Sequence, residues 1–178
     1  MGRAVLVVVS GAAGVGKTSL ARGVARRLGC PVVVRDEIKQ GLVLADDGYR
    51  AEPGDAMTRH ATEVFFDVLR VMLDAGCAVV AEAAFQDRVW NPRLTALSEL
   101  ADVRIIRCDA PQEVRRERVA RRLEADGHRR AHADHSLTFQ DGFQRVEMDV
   151  PTLDVDTSDG YRPGMDEIVA FARGFAGR

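Results

Sequence analysis

The chain has 178 residues, a length that suits one domain and allows a core to form without disulfides or structural metals. Hydrophobic residues make up 46% and charged residues 29%, the balance of an ordinary soluble globular protein. The formal net charge of −2 gives no support to a general nucleic-acid binder, which usually carries a basic surface, although a local basic patch is compatible with it.

The three cysteines, Cys30, Cys77 and Cys108, include no C-x-x-C pair. All three lie in or beside apolar runs, which predicts small buried residues in a reducing compartment. No apolar run approaches the ~18 residues of a membrane span. The N-terminal apolar run fits a buried first strand better than a secretion signal, so we expect a cytoplasmic protein.

Five short apolar runs are predicted to be β-strands, at residues 4–9, 31–34, 78–81, 103–108 and 153–155. Six helices are expected between and after them, at 18–28, 38–44, 57 to about 76, 92–100, 111–126 and 163–175. Polar stretches at 46–54 and 127–142 are predicted to be loops. Strands that alternate with helices predict βαβ units, a parallel sheet and right-handed crossovers.

The first strand is followed by Gly11-Ala-Ala-Gly-Val-Gly-Lys17-Thr18, a full match to the phosphate-binding loop (P-loop) pattern G-x-x-x-x-G-K-[ST]. The match lies directly after a strand and directly before a helix, which is the context that this loop needs. Glycines let the backbone approach a triphosphate, and the loop amides and helix N-terminus direct positive ends at its oxygens. A Gly-rich strand-to-helix turn is the alternative, but it does not require the Lys and Thr.

This loop is therefore the candidate nucleotide-binding site. Lys17 can reach the β- and γ-phosphates, the hydroxyl of Thr18 can ligate Mg²⁺, and Ser19 lies at the helix N-terminus. The candidate ATP-binding residues are Gly11, Ala12, Ala13, Gly14, Val15, Gly16, Lys17, Thr18 and Ser19.

Asp36 follows the second predicted strand. Ligands of parallel α/β sheets bind beyond the carboxyl ends of the strands, so Asp36 is expected to face the γ-phosphate from the acceptor side. There it can accept the proton of the acceptor hydroxyl as a general base. The alternative is that Asp36 caps the helix beginning near Glu37, and the two roles are compatible.

Glu82 ends the third predicted strand, in the run Ala-Val-Val-Ala-Glu. A carboxylate at this strand tip could hold the hydration shell of Mg²⁺, as the Walker B acid does. Asp is the commoner residue for that role. A loop carboxylate paired with a nearby Lys or Arg is the alternative.

The predicted helix at 111–126 is rich in arginine. Arg118 and Arg122 are four residues apart and share one face of it. Arginines that close over ATP can neutralise charge on the transferring phosphoryl group. A solvated helix with pairs such as Glu117 with Arg121 is the alternative, and we expect it for most of the other arginines.

Three histidines follow this helix, His128, His132 and His135. No cysteine or acidic residue completes a recognisable Zn²⁺ pattern with them. We therefore favour a polar loop that forms part of a lid at about 111–142, with Arg118 and Arg122 on its helix.

Four segments resemble the small P-loop kinases, a family that includes phage-type polynucleotide 5′-kinase domains, chloramphenicol phosphotransferase, zeta-toxin-like kinases and AAA-type predicted kinases. The segments are GAAGVGKTS, VRDEIK, VVAEAAF and CDAPQEVRRERVARR, which follow the first four strands or end them. Only the first segment is specific on its own. The resemblance otherwise depends on the order and spacing of all four segments. The resemblance implies an α/β fold with a five-stranded parallel sheet in the order 2-3-1-4-5.

In this family the acid after the second strand is the general base, which matches Asp36. A basic residue three positions later holds the substrate phosphate in the polynucleotide kinases, which matches Lys39. The lid arginines match Arg118 and Arg122, and the resemblance implies an adenine pocket near 156–158. Glu82 is a candidate metal and substrate ligand, and many relatives carry Asp at this position.

These features predict an ATP-dependent kinase that uses ATP and Mg²⁺ and transfers the γ-phosphate to a hydroxyl of a small molecule, such as a metabolite or an antibiotic. The catalytic residues would be Asp36, Lys17, Arg118 and Arg122. A polynucleotide 5′-hydroxyl kinase is the alternative within enzymes, and the net charge argues against it. A nucleotide-binding switch is the alternative of another class, although the chain has no N-K-x-D guanine motif.

Overall fold

The computed structural model describes residues 3–45, 49, 55–85, 87–125 and 143–174. A 5-stranded sheet runs through the described residues in the spatial order β2-β3-β1-β4-β5. All neighbouring strands are parallel, which confirms the predicted fold class. The strands are β1 (Ala4–Ser10), β2 (Val32–Val34), β3 (Val79–Glu82), β4 (Ala101–Asp109) and β5 (Thr152–Asp156).

Helices cover both faces of the sheet. They are α1 (Lys17–Leu28), α2 (Arg35–Leu44), α3 (Ala56–Asp74), α4 (Asp87–Ser98), α5 (Gln112–Ala125) and α6 (Met165–Arg173). Apolar residues of α3 and α4 form the core on one face, and apolar residues of α1 and α6 form the core on the other. The sheet is thus the middle of three layers, which explains why its central strands are continuous apolar runs.

Strand β1 shows this two-sided burial most clearly. Leu6 and Val8 belong to the core beneath α3 and α4, whereas Val7 and Val9 belong to the core beneath α1 and α6. Side chains alternate between the two faces of a strand, and here both faces are covered. The strand therefore holds the loop that follows it on a rigid support.

Helix α4 begins earlier than the sequence predicts. The pattern predicts a helix at 92–100, but Pro92 lies inside a helix that starts at Asp87. Trp90, in the preceding turn, is buried and packs on the rings of Phe66 and Phe85 at centroid distances of 5.4 and 5.0 Å. This aromatic packing stabilises a turn that local proline rules alone would leave outside the helix.

Helix α2 also begins earlier than predicted. It starts at Arg35, directly after β2, whereas the spacing predicted a start near residue 38. Its N-cap is Val34, which makes no side-chain cap hydrogen bond. Asp36 therefore lies in the first turn of the helix, where a carboxylate is stabilised by the helix dipole, and it is not the cap residue.

The cysteines follow the prediction in part. All three are free thiols, and Cys108 is buried while Cys30 is half-buried. Cys77 is exposed, so the expectation of burial was wrong for this residue. It follows Gly76, whose φ of +75° turns the chain at the surface between α3 and β3.

Several predicted features lie outside the described residues. These are the loop at 46–54 apart from Tyr49, and the loop at 127–142 with His128, His132 and His135. Within the part of the chain that is described, no helix has the length and apolar character needed to cross a membrane.

The edge strand β5 is joined to β4 by a bidentate ion pair. Arg107 and Asp154 are register partners, and Nε and Nη2 of the arginine donate to the two carboxylate oxygens at 2.7 and 2.8 Å. This hydrogen bonding lowers the pKa of Asp154 below its ordinary value of 3.8. The pair therefore helps to hold the strand that leads into residues 156–158.

We predict that Asp154→Asn lowers the free energy of unfolding by less than about 1 kcal/mol at neutral pH, because the pair is partly exposed. A lowered pKa means that the stabilising contribution is present above 3.8 and is lost as the pH falls through the folded-state value. Urea unfolding at neutral and progressively lower pH should show the difference from wild type shrinking. Asp67→Asn, at an exposed position of α3, is the control. A difference that is constant with pH would contradict the prediction.

Candidate functional site

The loop between β1 and α1 depends on glycines with positive φ angles. Gly14 and Gly16 have φ values of +81° and +86°, in the left-handed region that favours glycine. A Cβ at Gly14 would lie 2.5 Å from the backbone oxygen of Arg115, so the loop backbone packs directly on α5. Gly16 is the N-cap of α1 and supplies no side-chain cap, which leaves the first N–H groups of α1 for an anion.

Lys17, the first residue of α1, lies across this loop. Its Nζ donates a hydrogen bond to the backbone oxygen of Ala12 at 3.0 Å and is 4.0 Å from Oε1 of Glu82. Only 13% of the Lys17 side chain is exposed. The ammonium therefore lies between the loop backbone and the tip of β3.

Glu82 and Thr18 meet at the carboxyl end of β3. The Thr18 hydroxyl donates to Oε2 of Glu82 at 2.8 Å, and Glu82 is buried. Burial raises the pKa of the Glu82 carboxyl, while the charge of Lys17 and the Thr18 hydroxyl lower it in part. A desolvated carboxylate of this kind gains from a nearby cation.

The oxygen donors at this position fit Mg²⁺. One hydroxyl and one carboxylate, those of Thr18 and Glu82, lie in hydrogen-bond contact, and Mg²⁺ prefers hard oxygen ligands. No group of three or more His, Cys, Asp or Glu side chains suited to a metal occurs in the described part of the chain. A usual Mg²⁺ site has one or two protein ligands that act together with substrate phosphates, and Thr18 and Glu82 have the chemistry of such ligands.

Asp36 lies near these residues in the first turn of α2. Its carboxylate accepts a hydrogen bond from Nη1 of Arg35 at 3.0 Å and is 58% exposed. Its negative charge contributes to the raised pKa of Glu82, so the two carboxylates lie within electrostatic range of each other. Asp36 is thus an accessible carboxylate beside the P-loop.

Lys39 lies one helical turn after Asp36 and is 5% exposed. Its Nζ is 3.7 Å from Oδ2 of Asp55 and 5.6 Å from the ring centroid of Tyr49. Burial lowers the pKa of Lys39, and the charge of Asp55 opposes this effect. The ammonium that the resemblance assigns to a substrate phosphate is therefore paired with a carboxylate of the protein.

Arg118, on α5, contacts backbone carbonyls around the P-loop. Its Nη2 donates to the oxygens of Thr157 at 2.6 Å and Ser158 at 3.1 Å, and its Nη1 donates to the oxygen of Val15 at 3.5 Å. The guanidinium also lies 3.6 Å from the position that a Cβ at Gly16 would take. Arg118 therefore joins α5, the P-loop and the segment after β5.

The other predicted site residues surround this centre. Arg122 is half-buried one turn beyond Arg118, and Ser19 is exposed on α1. Ala12 and Ala13 are half-buried, while Val15 is fully buried beneath the loop. The structure thus brings Lys17, Thr18 and Glu82 into direct contact, with Asp36 nearby.

Thr157 is a site residue whose role sequence reasoning missed. It is 3% exposed, and its hydroxyl donates to the backbone oxygen of Val15, at 2.5 Å, or to that of Asp109, at 3.0 Å. Its N–H also donates to the oxygen of Asp109 at 2.9 Å. No local pattern distinguishes such a threonine, because all three contacts are distant in sequence.

Arg35 and Asp55 were missed as well. Arg35 donates to the oxygen of Thr58 at 2.9 Å, and Asp55 is the N-cap of α3, accepting from the N–H of Thr58. A signal for Asp55 exists in the sequence, since an Asp directly before an amphipathic run is a typical helix cap. Its pairing with Lys39 has no such signal.

Cys108 lies beneath the P-loop at the end of β4. A Cβ at Gly11 would lie 2.6 Å from its backbone oxygen. Burial raises the pKa of its thiol to about 12, so the thiol stays protonated at neutral pH. Because the thiolate is the reactive form, Cys108 is a packing residue and not a nucleophile.

We predict that Gly14→Ala weakens nucleotide binding and lowers the free energy of unfolding by about 2 kcal/mol or more. A left-handed φ disfavours alanine, and the new methyl would overlap the backbone of α5. Gly41→Ala, in α2 with open space around the position, is the matched control and should be neutral or slightly stabilising. Denaturant unfolding and calorimetry with Mg·ATP measure both effects. Equal behaviour of the two variants would contradict the close packing described here.

Residues 6–146 match the family described as an AAA domain (AAA_33). No curated protein matches the chain. A candidate kinase from Chloroflexus aurantiacus has a TM-score of 0.84 and 23% identity, over 99% of this chain and 100% of that chain. APS kinase CysC from Mycobacterium tuberculosis, in complex with AMPPNP and APS, has a TM-score of 0.67 and 20% identity, over 97% and 99% of the two chains.

The Pnkp1/Rnl/Hen1 RNA repair complex has a TM-score of 0.59 and 16% identity, over 98% of this chain and 46% of that chain. At these identities the structural likenesses establish the fold. The sheet order and the P-loop described above are the features of the small P-loop kinases. The chain belongs to the AAA domain family that matches residues 6–146, and its fold is that of the small P-loop kinases.

Proposed function

We propose that the protein is an ATP-dependent phosphotransferase that moves the γ-phosphate of ATP to a hydroxyl of a small molecule. One observation carries the proposal: Lys17, Thr18 and Glu82 converge at the carboxyl edge of the sheet, with the exposed carboxylate of Asp36 beside them. This set contains a phosphate clamp, two oxygen ligands for a metal and a proton acceptor. Those are the groups that phosphoryl transfer needs from a protein.

The P-loop would hold the triphosphate. Backbone N–H groups from Gly14 to Thr18 would donate to the phosphate oxygens, together with the positive end of α1. Lys17 would exchange its hydrogen bond with Ala12 for the β- and γ-phosphates. Because its side chain is largely shielded from water, the charge of the ammonium acts at higher strength than it would in solution.

Thr18 and Glu82 would hold Mg²⁺. When bound, the ion neutralises phosphate charge and aligns the β- and γ-phosphates. Glu82 would contribute through its carboxylate, which is kept desolvated at the strand tip. The hydrogen bond from the Thr18 hydroxyl keeps the two side chains next to each other.

Asp36 would act as the general base. Its exposed carboxylate can accept the proton of an acceptor hydroxyl while that oxygen attacks the γ-phosphorus. The hydrogen bond from Arg35 would hold the carboxylate in one orientation. Catalysis would depend on alignment and charge neutralisation, with no covalent enzyme intermediate.

Arg118 and Arg122 would supply positive charge from the lid helix. The guanidinium of Arg118 already lies over the P-loop near Gly16. It would leave the carbonyls of Thr157 and Ser158 to meet a nucleotide. Arg122 follows on the same helical face and would face the transferring phosphoryl group.

Two neighbours in fold bear on ligand and acceptor. APS kinase was solved with AMPPNP and APS, a nucleotide analogue and a small acceptor, over a length that nearly matches this chain. Its likeness supports ATP as phosphoryl donor and a small molecule as acceptor. The RNA repair complex keeps a polynucleotide acceptor as the second candidate.

We predict that Asp36→Asn retains Mg·ATP binding and loses phosphoryl transfer by about 10²-fold or more, because the amide cannot accept the proton. Lys17→Met is the comparison variant and should lose nucleotide binding itself. Calorimetry reports the binding, and release of ADP in the presence of a pool of hydroxyl compounds reports the transfer. Full turnover by Asp36→Asn would remove the base role. Steady hydrolysis of ATP without any acceptor would favour a nucleotide switch instead.

The polynucleotide candidate predicts a different dependence on salt. Binding through several backbone phosphates weakens steeply as the salt concentration rises, whereas a neutral small acceptor is nearly indifferent to it. We expect no transfer to a 5′-hydroxyl oligonucleotide, measured with labelled ATP across a salt series. Transfer that occurs at low salt and falls steeply with added salt would favour the polynucleotide kinase.

A further inference from the structure

The positive charge of Lys39 is balanced by a carboxylate of the protein itself. It lies on α2 three residues after Asp36, so the two side chains share one face of the helix. The charge of Asp36 acts on both Lys39 and Glu82, so the candidate base lies within electrostatic range of both groups. Only 5% of Lys39 is exposed, and its Nζ is 3.7 Å from Asp55.

Asp55 is held firmly in the position where it pairs with Lys39. Its Oδ1 accepts from the N–H of Thr58 as the N-cap of α3, and its Oδ2 accepts from the hydroxyl of Tyr49. The side chain is 12% exposed. A carboxylate fixed by a backbone cap and a phenol cannot turn away from Lys39 without losing both contacts.

Two neighbouring cations among the described residues, Arg35 and Arg22, are also paired. Arg35 donates to Asp36 and to α3, and Arg22 of α1 forms an ion pair with Glu37. Among the described residues of α2, each basic side chain therefore faces a carboxylate. An incoming phosphate would have to compete with these carboxylates and would be repelled by them.

We infer that Asp55 masks the charge of Lys39. The acceptor site is thereby restricted to hydroxyl compounds that carry no phosphate on the part that approaches α2, an inference that rests on the proposed phosphotransferase function. The discrimination comes from repulsion, because the fixed carboxylate of Asp55 pairs with Lys39 and would repel a phosphate. Among the described residues of α2 beyond Asp36, Lys39 is the only cation that could recognise a phosphate. Asp55 is a specificity residue in this account and does not touch the reacting atoms.

The test variant is Asp55→Asn. Asparagine is as good an N-cap as aspartate, and its amide oxygen can accept from Thr58 or Tyr49, so the variant removes the charge and preserves the cap. Asp74→Asn, at the exposed end of the same helix, makes the same change of net charge and is the matched control. The double variant Lys39→Met with Asp55→Asn removes the unmasked cation as well.

The first measurement needs no catalysis. Sulfate is titrated into each variant in the presence of Mg·ADP, which occupies the P-loop, and the amide NMR signals of α2 are followed. We expect the signals of α2 to report sulfate binding at least about tenfold tighter in Asp55→Asn than in wild type or Asp74→Asn. The double variant should lose the gain. Equal binding by wild type and Asp55→Asn, or a gain that survives Lys39→Met, would overturn the masking.

The second measurement compares matched acceptors that differ by one phosphate, such as adenosine with adenosine 3′-phosphate and glucose with glucose 6-phosphate. We expect wild type to prefer the neutral member of any pair that it phosphorylates, and Asp55→Asn to shift the ratio of kcat/KM toward the phosphorylated member by about tenfold. An unchanged ratio would refute the inference while leaving the kinase assignment intact. If Asp55→Asn gains sulfate binding but no phosphate is transferred to any acceptor, the proposed function is refuted and the masking of Lys39 by Asp55 stands.

Discussion

The register of three parallel strands is the constraint on which the whole site depends. Glu82 at the end of β3 is level with Val9 of β1 on one side and with Val34 of β2 on the other. The chain therefore leaves β1 into the P-loop, and β2 into α2, on either side of one buried carboxylate. A slip of one residue in β3 would turn Glu82 to the opposite face of the sheet and separate it from Thr18.

The fold was largely predictable because its signals are repeated and local. Short apolar runs that alternate with amphipathic stretches predict the strands and helices, and a strand followed by the P-loop pattern predicts the first βα unit. The errors lie where tertiary packing outweighs local rules. Trp90 is buried among other aromatic rings and adds a turn before Pro92, and α2 begins at Arg35 without any side-chain cap.

The candidate site was predictable only in the parts that a motif or a strand end identifies. Lys17 and Thr18 belong to the P-loop pattern, and Glu82 ends an apolar run, so the sequence points to each of them. Thr157 acts through Val15, which is 142 residues away, and Asp55 pairs with Lys39 of the preceding helix. A single sequence contains no signal for such pairs, because a threonine or an aspartate at a loop is usually a turn or a cap.

The contacts of Thr157 and Arg118 make the P-loop backbone depend on distant parts of the chain. The carbonyl of Val15 accepts from Thr157, which is 142 residues away, and from Arg118, which is 103 residues away. A fragment that ended before β5 would contain the complete nucleotide motif and still lack a side chain that fixes its backbone. The backbone of the P-loop is thus held by side chains that follow or lie well beyond its own βα unit, and the motif alone does not contain them.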